Sequence, residues 1–296
     1  MPVTRSSDLF NTPLMVEAVM TAFRNPTVLS GSRAVVRSNT LPRNTIDGAR
    51  LKGGDKVAVP YFESIGTLDD VDEDRALTPA KLTTTNEEAS MQHSGKLVEM
   101  THWARIKMAY ADPYAEVARQ FRAATEEKFD AKLLAAAAES LPSGNVLDVY
   151  DAGTPRYLDW DLLVDGAMLF GDQQAGIEMM VVDPTTLGNL RKLKDGIGRA
   201  LLETKLNPTT GQFELNFQGI PIRVSSAANS TDGKHRTRIY KSGSLALWIN
   251  EEPRVLTDED ITKDNELIAI HVYYVVHRYK RLPNTDRPGV VEIVHN

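Results

Sequence analysis

The chain contains no cysteine among its 296 residues. That removes disulfides, thiolate metal sites, iron–sulfur clusters and a thiol nucleophile together, and it fits a protein that forms in a reducing compartment. No stretch approaches the ~18 apolar residues a membrane span needs, and the opening "MPVTRSSDLF" lacks the apolar core of a signal peptide. Neither membrane insertion nor secretion by that route is expected. Basic charge is scarce too: 34 Lys and Arg stand against 40 Asp and Glu, a net charge of −6. A dedicated nucleic-acid binder carries a basic excess on one face, so any contact with DNA is expected to be weak and non-specific. What remains is ordinary globular material, 42% hydrophobic and 25% charged, long enough for one large or two modest cores.

The charge is unevenly laid out. Residues 1–52 hold seven Arg or Lys against three acids, whereas residues 53–90 hold nine acids against three bases. Adjacent segments of opposite sign read either as two solvated faces or as complementary surfaces on neighbouring copies. The acids concentrate in "LDDVDEDRALTPAKL", where Asp69, Asp70, Asp72, Glu73 and Asp74 fill five of six positions. A calcium loop starting at Asp70 requires Gly at its sixth position and a chelating Glu at its twelfth, and here Arg75 and Lys81 stand there instead. Two cations at the decisive places repel a divalent ion, so the patch needs another explanation.

The first fifty residues read as an arm. "TPLMVEAVMTAF" has a short helical pattern in Leu14, Val16, Val19, Met20 and Phe23, but the Pro, Gly, Ser and Asn scattered through the following "RNPTVLSGSRAVVRSNTLPRNT" leave the segment unable to bury much by itself. It needs a surface to lie on, its own body or a neighbour's. "GGDKVAVPYFES" reads as a strand, and "GKLVEMTHWARI" as its return after Gly95. The polar connection between them, residues 65–94, is long for a compact domain, which predicts a projecting two-stranded loop.

"ADPYAEVARQFRAATEEKFDAKLLAAAAES" offers Asp112 as N-cap and Pro113 at the first helical position, and runs to about Ser140. Val117, Phe121, Phe129, Leu133 and Ala137 line one stripe, with Arg119, Arg122, Glu126 and Asp130 expected largely off it. The rod would be about 40 Å long, a beam under a sheet rather than a heptad coil. Helices are expected in "LDWDLLVDGAMLFGD" and "PTTLGNLRKLKDG", and strands in "IEMMVVDP", "GQFELNF", "IPIRVSS" and "SLALWI". Finally, "ELIAIHVYYVVHRYKRL" predicts a strand of about fifteen residues, or roughly 50 Å. The class is α+β, without the regular alternation of a doubly wound sheet.

No catalytic constellation emerges. "GIGRAL" has Gly196 and Gly198, but Leu201 holds the third glycine position and no clear strand leads into it. "HSGKL" lacks the rest of a phosphate loop and reads as a turn before a strand, and Ser244 in "SGSLA" lacks the flanks of a nucleophile elbow. His271 and His277 share a strand face but sit about 20 Å apart, too far to ligate one metal. Trp103, Trp160, Trp248 and the tyrosines of "HVYYVVHRY" read as core or interface packing. No cofactor, metal or catalytic residue is expected.

The order of elements is more informative than any motif. "GDKVAVPYFESIG" followed by "GKLVEMTHWARI" resembles the extended loop of the Hong Kong 97-type major capsid proteins of tailed bacteriophages, a fold shared with encapsulin shells. "DPYAEVARQFRAATEEKFDAKLL" resembles their spine helix, "VVDPTTLGNLRKLKDGIGRALL" with "FQGIPIRVSS" their axial domain, and "ELIAIHVYYVVHRYKRL" their late peripheral strand. The resemblance implies an N-terminal arm over 1–45, an extended loop with its base strands over 46–104, a peripheral domain over 105–149 and 264–296, and an axial domain over 150–263. It also implies a non-enzymatic coat protein that forms pentamers and hexamers in a virion shell around phage double-stranded DNA. An encapsulin shell and a soluble α+β enzyme are the alternatives. Arm and ribbon would then complete their folding against sister copies. The acids Asp69, Asp70, Asp72, Glu73 and Asp74 would contact other copies, with Arg33, Arg37 and Arg43 of the basic arm as their partners. No long helical leader is seen in the pattern, so a separate scaffolding protein, or a short processed segment, is expected beside a portal. Some members of the family cross-link a loop Lys to an Asn activated by a Glu seven residues on. Asn265 stands where that Asn would, but Val272 occupies the carboxylate's place, so a non-covalent shell is expected.

Overall fold

The computed structural model describes residues 27–39, 56–62, 84–107, 113–139, 141–151, 153–194, 200–206, 213–226, 233–249, 254–260, 262–280 and 289–296, with a few isolated positions between them. The pattern in "TPLMVEAVMTAF", the cap Asp112 and Gly196 lie outside these residues.

Two sheets carry the described chain. The first is built around the long strand that the β-branched and aromatic run of 265–278 predicts. In chain order its members are β1 (Val35–Ser38), β2 (Lys56–Phe62), β3 (Thr84–Thr101), β10 (Leu245–Ile249), β11 (Arg254–Asp260) and β12 (Asn265–Arg278). β12 pairs antiparallel with β3 along one side, from Asn265↔Thr101 to Val275↔Met91. On the other side its first half pairs with β11 and its second half with β10, so one strand is lined by two in succession. β1 adds to β10 in parallel, and β2 pairs with the outer half of β3.

Helix α2 (Pro113–Ala138) follows the short α1 (His102–Lys107) and packs on β12 and β10. Its length and stripe are as the sequence predicts: Phe121, Phe129, Leu133 and Ala137 are buried. They meet Ile268, Ile270, Val272 and Tyr274, the residues of β12 that alternate toward the helix. Phe129 meets Tyr274 edge to face at 5.0 Å. Beyond Tyr274 the strand is buried on both faces, because Val275, Trp248 and Ala246 form a separate cluster on the far side.

Asp130 departs from the expected pattern. Expected off the stripe, it is 7% exposed and turned inward toward residues 28–30. The loop also differs. β3 is 18 residues long and begins at Thr84, so the connection from β2 runs only over 63–83, shorter than expected. "HSGKL" is not a turn, because His93 to Leu97 lie within β3 and pair with β12. The glycine serves close approach: a Cβ at Gly95 would sit 2.9 Å from His271 Nδ1 and 2.8 Å from the Ile270 carbonyl oxygen. "HWARIK", expected to continue the strand, turns into α1, where Thr101 Oγ1 accepts the amide hydrogen of Ala104 at 3.1 Å.

The second sheet runs β4 (Val146–Asp148), β13 (Val290–His295), β9 (His235–Lys241), β5 (Ile177–Val182), β8 (Ile220–Val224), β7 (Phe213–Phe217) and β6 (Glu203–Leu206) in spatial order. Helices α3 (Trp160–Met168) and α4 (Pro184–Lys192) are capped by Asp159 and Asp183, whose carboxylates accept amide hydrogens of the first turn. Their apolar faces join Met180, Val182, Ile239, Val291 and Ile293 in one core. A Cβ on Gly166 would lie 2.6 Å from Ile293 Cδ1, which shows how closely α3 lies on β13. The sequence groups 264–296 into one segment, but the two sheets divide it, with β12 in the first and β13 in the second. Likewise 245–260, expected with the axial segment, pairs with β12. Hydrogen-bonded partners distant in sequence decide sheet membership, and local pattern does not report them.

Candidate functional site

If the arm and ribbon need a surface, the place to look is where each leaves the body. At the arm root, Asp130 projects from α2 into the turn at 28–30. Its Oδ1 accepts the amide hydrogens of Val28 (3.1 Å), Leu29 (2.6 Å) and Ser30 (3.0 Å), and Oδ2 lies 3.1 Å from the Val28 nitrogen. Three successive donors converging on one buried carboxylate compensate its desolvation and fix the chain's direction. Leu29, Ala34 and Val35 then enter the core of the first sheet. Beyond them, the Arg33 carbonyl accepts from Gly243 N at 3.0 Å, and β1 continues the sheet. The surface for residues 27–39 is therefore the chain's own body, not a sister copy as expected.

Of the three arm arginines, Arg33 is exposed and Arg37 is engaged within the chain. The Arg37 guanidinium meets Glu126 of α2 at 3.0 Å and lies 5.8 Å from the centroid of Phe129. Both partners are part-exposed, so the pair contributes on the order of 0–1 kcal/mol. Arg43 and the acids Asp69, Asp70, Asp72, Glu73 and Asp74 lie outside the described residues.

The ribbon root is held by a buried polar pair that the sequence did not reveal. His277 Nε2 lies 2.6 Å from Glu87 Oε2, with both side chains about 7% exposed or less. The Lys280 amide also donates to that carboxylate, at 3.3 Å. Trp248 stacks on the His277 ring at 6.2 Å and Tyr279 meets it edge-on, so both read as packing. At the opposite end of β12, Asn265 Nδ2 donates to Glu99 Oε1 at 2.7 Å inside the sheet. Val272 is a core residue, as its apolar side chain implies, but the carboxylate that meets Asn265 comes from β3, across the sheet rather than along the strand.

Titratable groups also gather in the second sheet. His235 Nδ1 lies 2.9 Å from Asp183 Oδ2, and the His235 and His295 rings stack at 5.7 Å. His295 accepts from the Thr237 hydroxyl at Nε2 (3.2 Å) and donates from Nδ1 to the Asn296 carbonyl (3.1 Å). The resemblance to a catalytic relay is superficial, because the Thr237 hydroxyl belongs to a fully buried side chain that no substrate could reach. Ser244 is equally buried. Among the described residues no three His, Cys, Asp or Glu side chains converge on a metal position.

What the surface does offer is uncovered apolar area. Trp103 and Ile106 on α1 are each 62% exposed, and Val36, Leu97, Val255 and Leu256 lie on the exposed rim of the first sheet. A groove of about 610 Å³ opens between α2 and the strands β10 to β12, lined by Phe121, Phe129, Val255, Ile268 and Ile270 with Arg37 at its mouth.

No protein-family model matches the sequence, and no curated protein matches it significantly. Solved structures do. The capsid of a native GTA particle superposes with a TM-score of 0.62 at 13% identity, covering 95% of this chain and 98% of that one. A chain of Microbacterium phage Oxtober96 gives 0.55 at 14% identity over 94% and 98%. The holo-SrpI encapsulin complex from Synechococcus elongatus PCC 7942 gives 0.56 at 12% identity over 72% and 77%. At such identities the likeness is one of architecture, and it matches the one the order of elements implied: the chain has the Hong Kong 97-type fold.

Proposed function

We propose that this chain is a major capsid protein, a structural subunit that assembles through pentamers and hexamers into an icosahedral shell around phage double-stranded DNA. The observation that carries this reading is the extent of the likeness. It runs over 94–95% of this chain against the GTA capsid and the phage chain, but over 72% against the encapsulin. An encapsulin-type compartment enclosing protein cargo is therefore the second reading. The buried relay-like clusters and the uncovered apolar rim support a role in contact rather than catalysis.

In this reading the first sheet with α2 is the core of the peripheral unit, and the second sheet is the core of the axial unit. The partners are sister copies, a separate scaffolding protein, a portal, and packaged DNA held by weak non-specific contacts. The particle is a virion, assembled in the host cytoplasm. Asp69, Asp70, Asp72, Glu73 and Asp74 guide register between copies, since many repeated weak ion pairs set geometry more than strength. A sizing column separates the classes: megadalton particles are expected, and a discrete small oligomer would favour an enzyme. Nuclease-protected double-stranded DNA inside particles recovered from the producing cells separates the phage reading from the encapsulin one.

A further inference from the structure

The sequence sets His271 beside His277 on one strand face, too far apart to share a ligand. The fold gives His271 a different partner. His93 of β3, 178 positions earlier in the chain, brings its Nε2 to 3.1 Å from His271 Nδ1. Both rings stand on the face of the first sheet turned away from α2, since Ile270, Val272 and Tyr274 alternate toward the helix. Register places the two on a diagonal: His93 lies opposite Tyr273, and His271 lies opposite Gly95. Each of these neighbours positions one ring. Tyr273 stacks on His93 with centroids 4.4 Å apart and planes 12° from parallel. Gly95, having no side chain, leaves room for the His271 ring, whose Nδ1 would lie 2.9 Å from a Cβ there. His93 is exposed and His271 half-buried, so solvent and solutes reach the pair.

We propose that His93 and His271 chelate a divalent transition-metal ion of the Zn²⁺, Ni²⁺ or Cu²⁺ class, bridging β3 to β12. Adjacent ligands about 2.0–2.1 Å from such an ion, in tetrahedral or square-planar array, stand about 2.8–3.4 Å apart, which brackets the 3.1 Å between the two nitrogens. As hydrogen-bonded, one nitrogen of the pair donates to the other. To take the ion, the donor ring adopts its other tautomer, with the hydrogen on the outward nitrogen, and small turns of both rings aim the two lone pairs at one point. Imidazole nitrogen suits this class of ion, whereas Mg²⁺ and Ca²⁺ prefer oxygen. Two protein ligands leave the other positions to water, so the ion exchanges and is not a folding centre. Arg254 of β11 stands opposite His271 in register. Exposed on a long stem, its charge weakens the ion's hold without blocking it, and Arg254→Gln is expected to tighten binding severalfold.

Calorimetric titration of the untagged, unassembled chain near neutral pH with Zn²⁺, Ni²⁺ and Cu²⁺ in turn is expected to show one site per chain, tightest for Cu²⁺. His93→Ala and His271→Ala are each expected to lower the affinity by more than the roughly tenfold that loss of an outer-shell partner costs. His102→Ala, which removes an exposed histidine on α1, is expected to leave it unchanged. Thermal melts check that these substitutions leave the fold intact. The wild-type chain supplies a second readout, because the ion covers the nitrogens that acylating reagents attack. Zn²⁺ is expected to protect His93 and His271 from diethyl pyrocarbonate while His102 reacts as before. The site is overturned if no ion binds up to about 1 mM, or if binding survives removal of either histidine. Protection that extends equally to His102 would overturn it as well, marking adventitious binding at surface histidines.

Discussion

Asp130 shows how one side chain can decide where a long segment leaves a domain. Its carboxylate satisfies three backbone donors of residues 28–30 at once, and those donors have no water to turn to in a buried turn. Asp130→Ala is expected to destabilise the subunit by about 2–4 kcal/mol, because each buried donor left unpaired costs about 1–3 kcal/mol before relaxation. Asp130→Asn keeps one acceptor and is expected to cost less. Urea unfolding measures both, and hydrogen exchange should show the amides of 28–30 losing protection first. A second residue-scale expectation concerns pH. Burial, opposed in part by the Asn296 carbonyl, pushes the His295 imidazole below its ordinary value. Burial alone would raise the Asp183 carboxyl, but bonds from Thr186 and the charge of His235 outweigh it and hold the group low. Both folded values are depressed. Each group therefore contributes stability that is present above its unfolded value and is lost as pH falls through the folded one: from about 6.5 downward for His295, and from about 3.8 downward for Asp183. Melting temperature should fall on acidification below neutrality, and His295→Gln should flatten the first part of that slope. An unchanged slope would contradict the assignment.

At the scale of elements, the beam and the long strand are one unit. Phe129 is almost fully buried between them and is the ring that both Tyr274 and Arg37 approach. Phe129→Ala is expected to cost about 3–5 kcal/mol in denaturant unfolding, the range for a large ring deleted from a core that cannot collapse. Both elements were legible in the sequence because their signals are local: a proline start and an apolar stripe for α2, a β-branched and aromatic run for β12. The strands β9, β11 and β13 were not. "HRTRIYK" and "RVLTDED" are too charged to read as strands, and "VVEIVH" gives no hint of which sheet it joins. β9 tolerates its arginines because Glu292 of β13 meets Arg236 and Arg238 at 2.7 Å each, a compensation supplied by a partner more than fifty residues away. β11 tolerates its acids because it is exposed almost throughout. Asp130 was misplaced for the same reason, since its donors lie about a hundred positions earlier in the chain. The acidic cluster was visible as composition, whereas the His277–Glu87 pair was not, because its two side chains meet only in the fold.

For the whole molecule, partial self-sufficiency is the notable property. Residues 27–39 and the inner half of the ribbon are satisfied by the chain's own sheet, yet among the described residues nothing covers α1, the rim of β11 or the groove between α2 and β10 to β12. In the proposed shell, the contacts between copies are expected to be non-covalent. The Asn265 side chain is 6% exposed and already donates to Glu99, so a neighbour's lysine has no path to its carbonyl carbon. Boiling assembled shells in detergent should therefore give a single band near 32.8 kDa, and a ladder of multiples would overturn that expectation.

The most direct test of the central claim is electron microscopy of the purified chain, alone and with a scaffolding partner. Closed icosahedral shells built of fivefold and sixfold capsomers are the predicted result. A homogeneous population of monomers or small oligomers under every assembly condition would contradict the account.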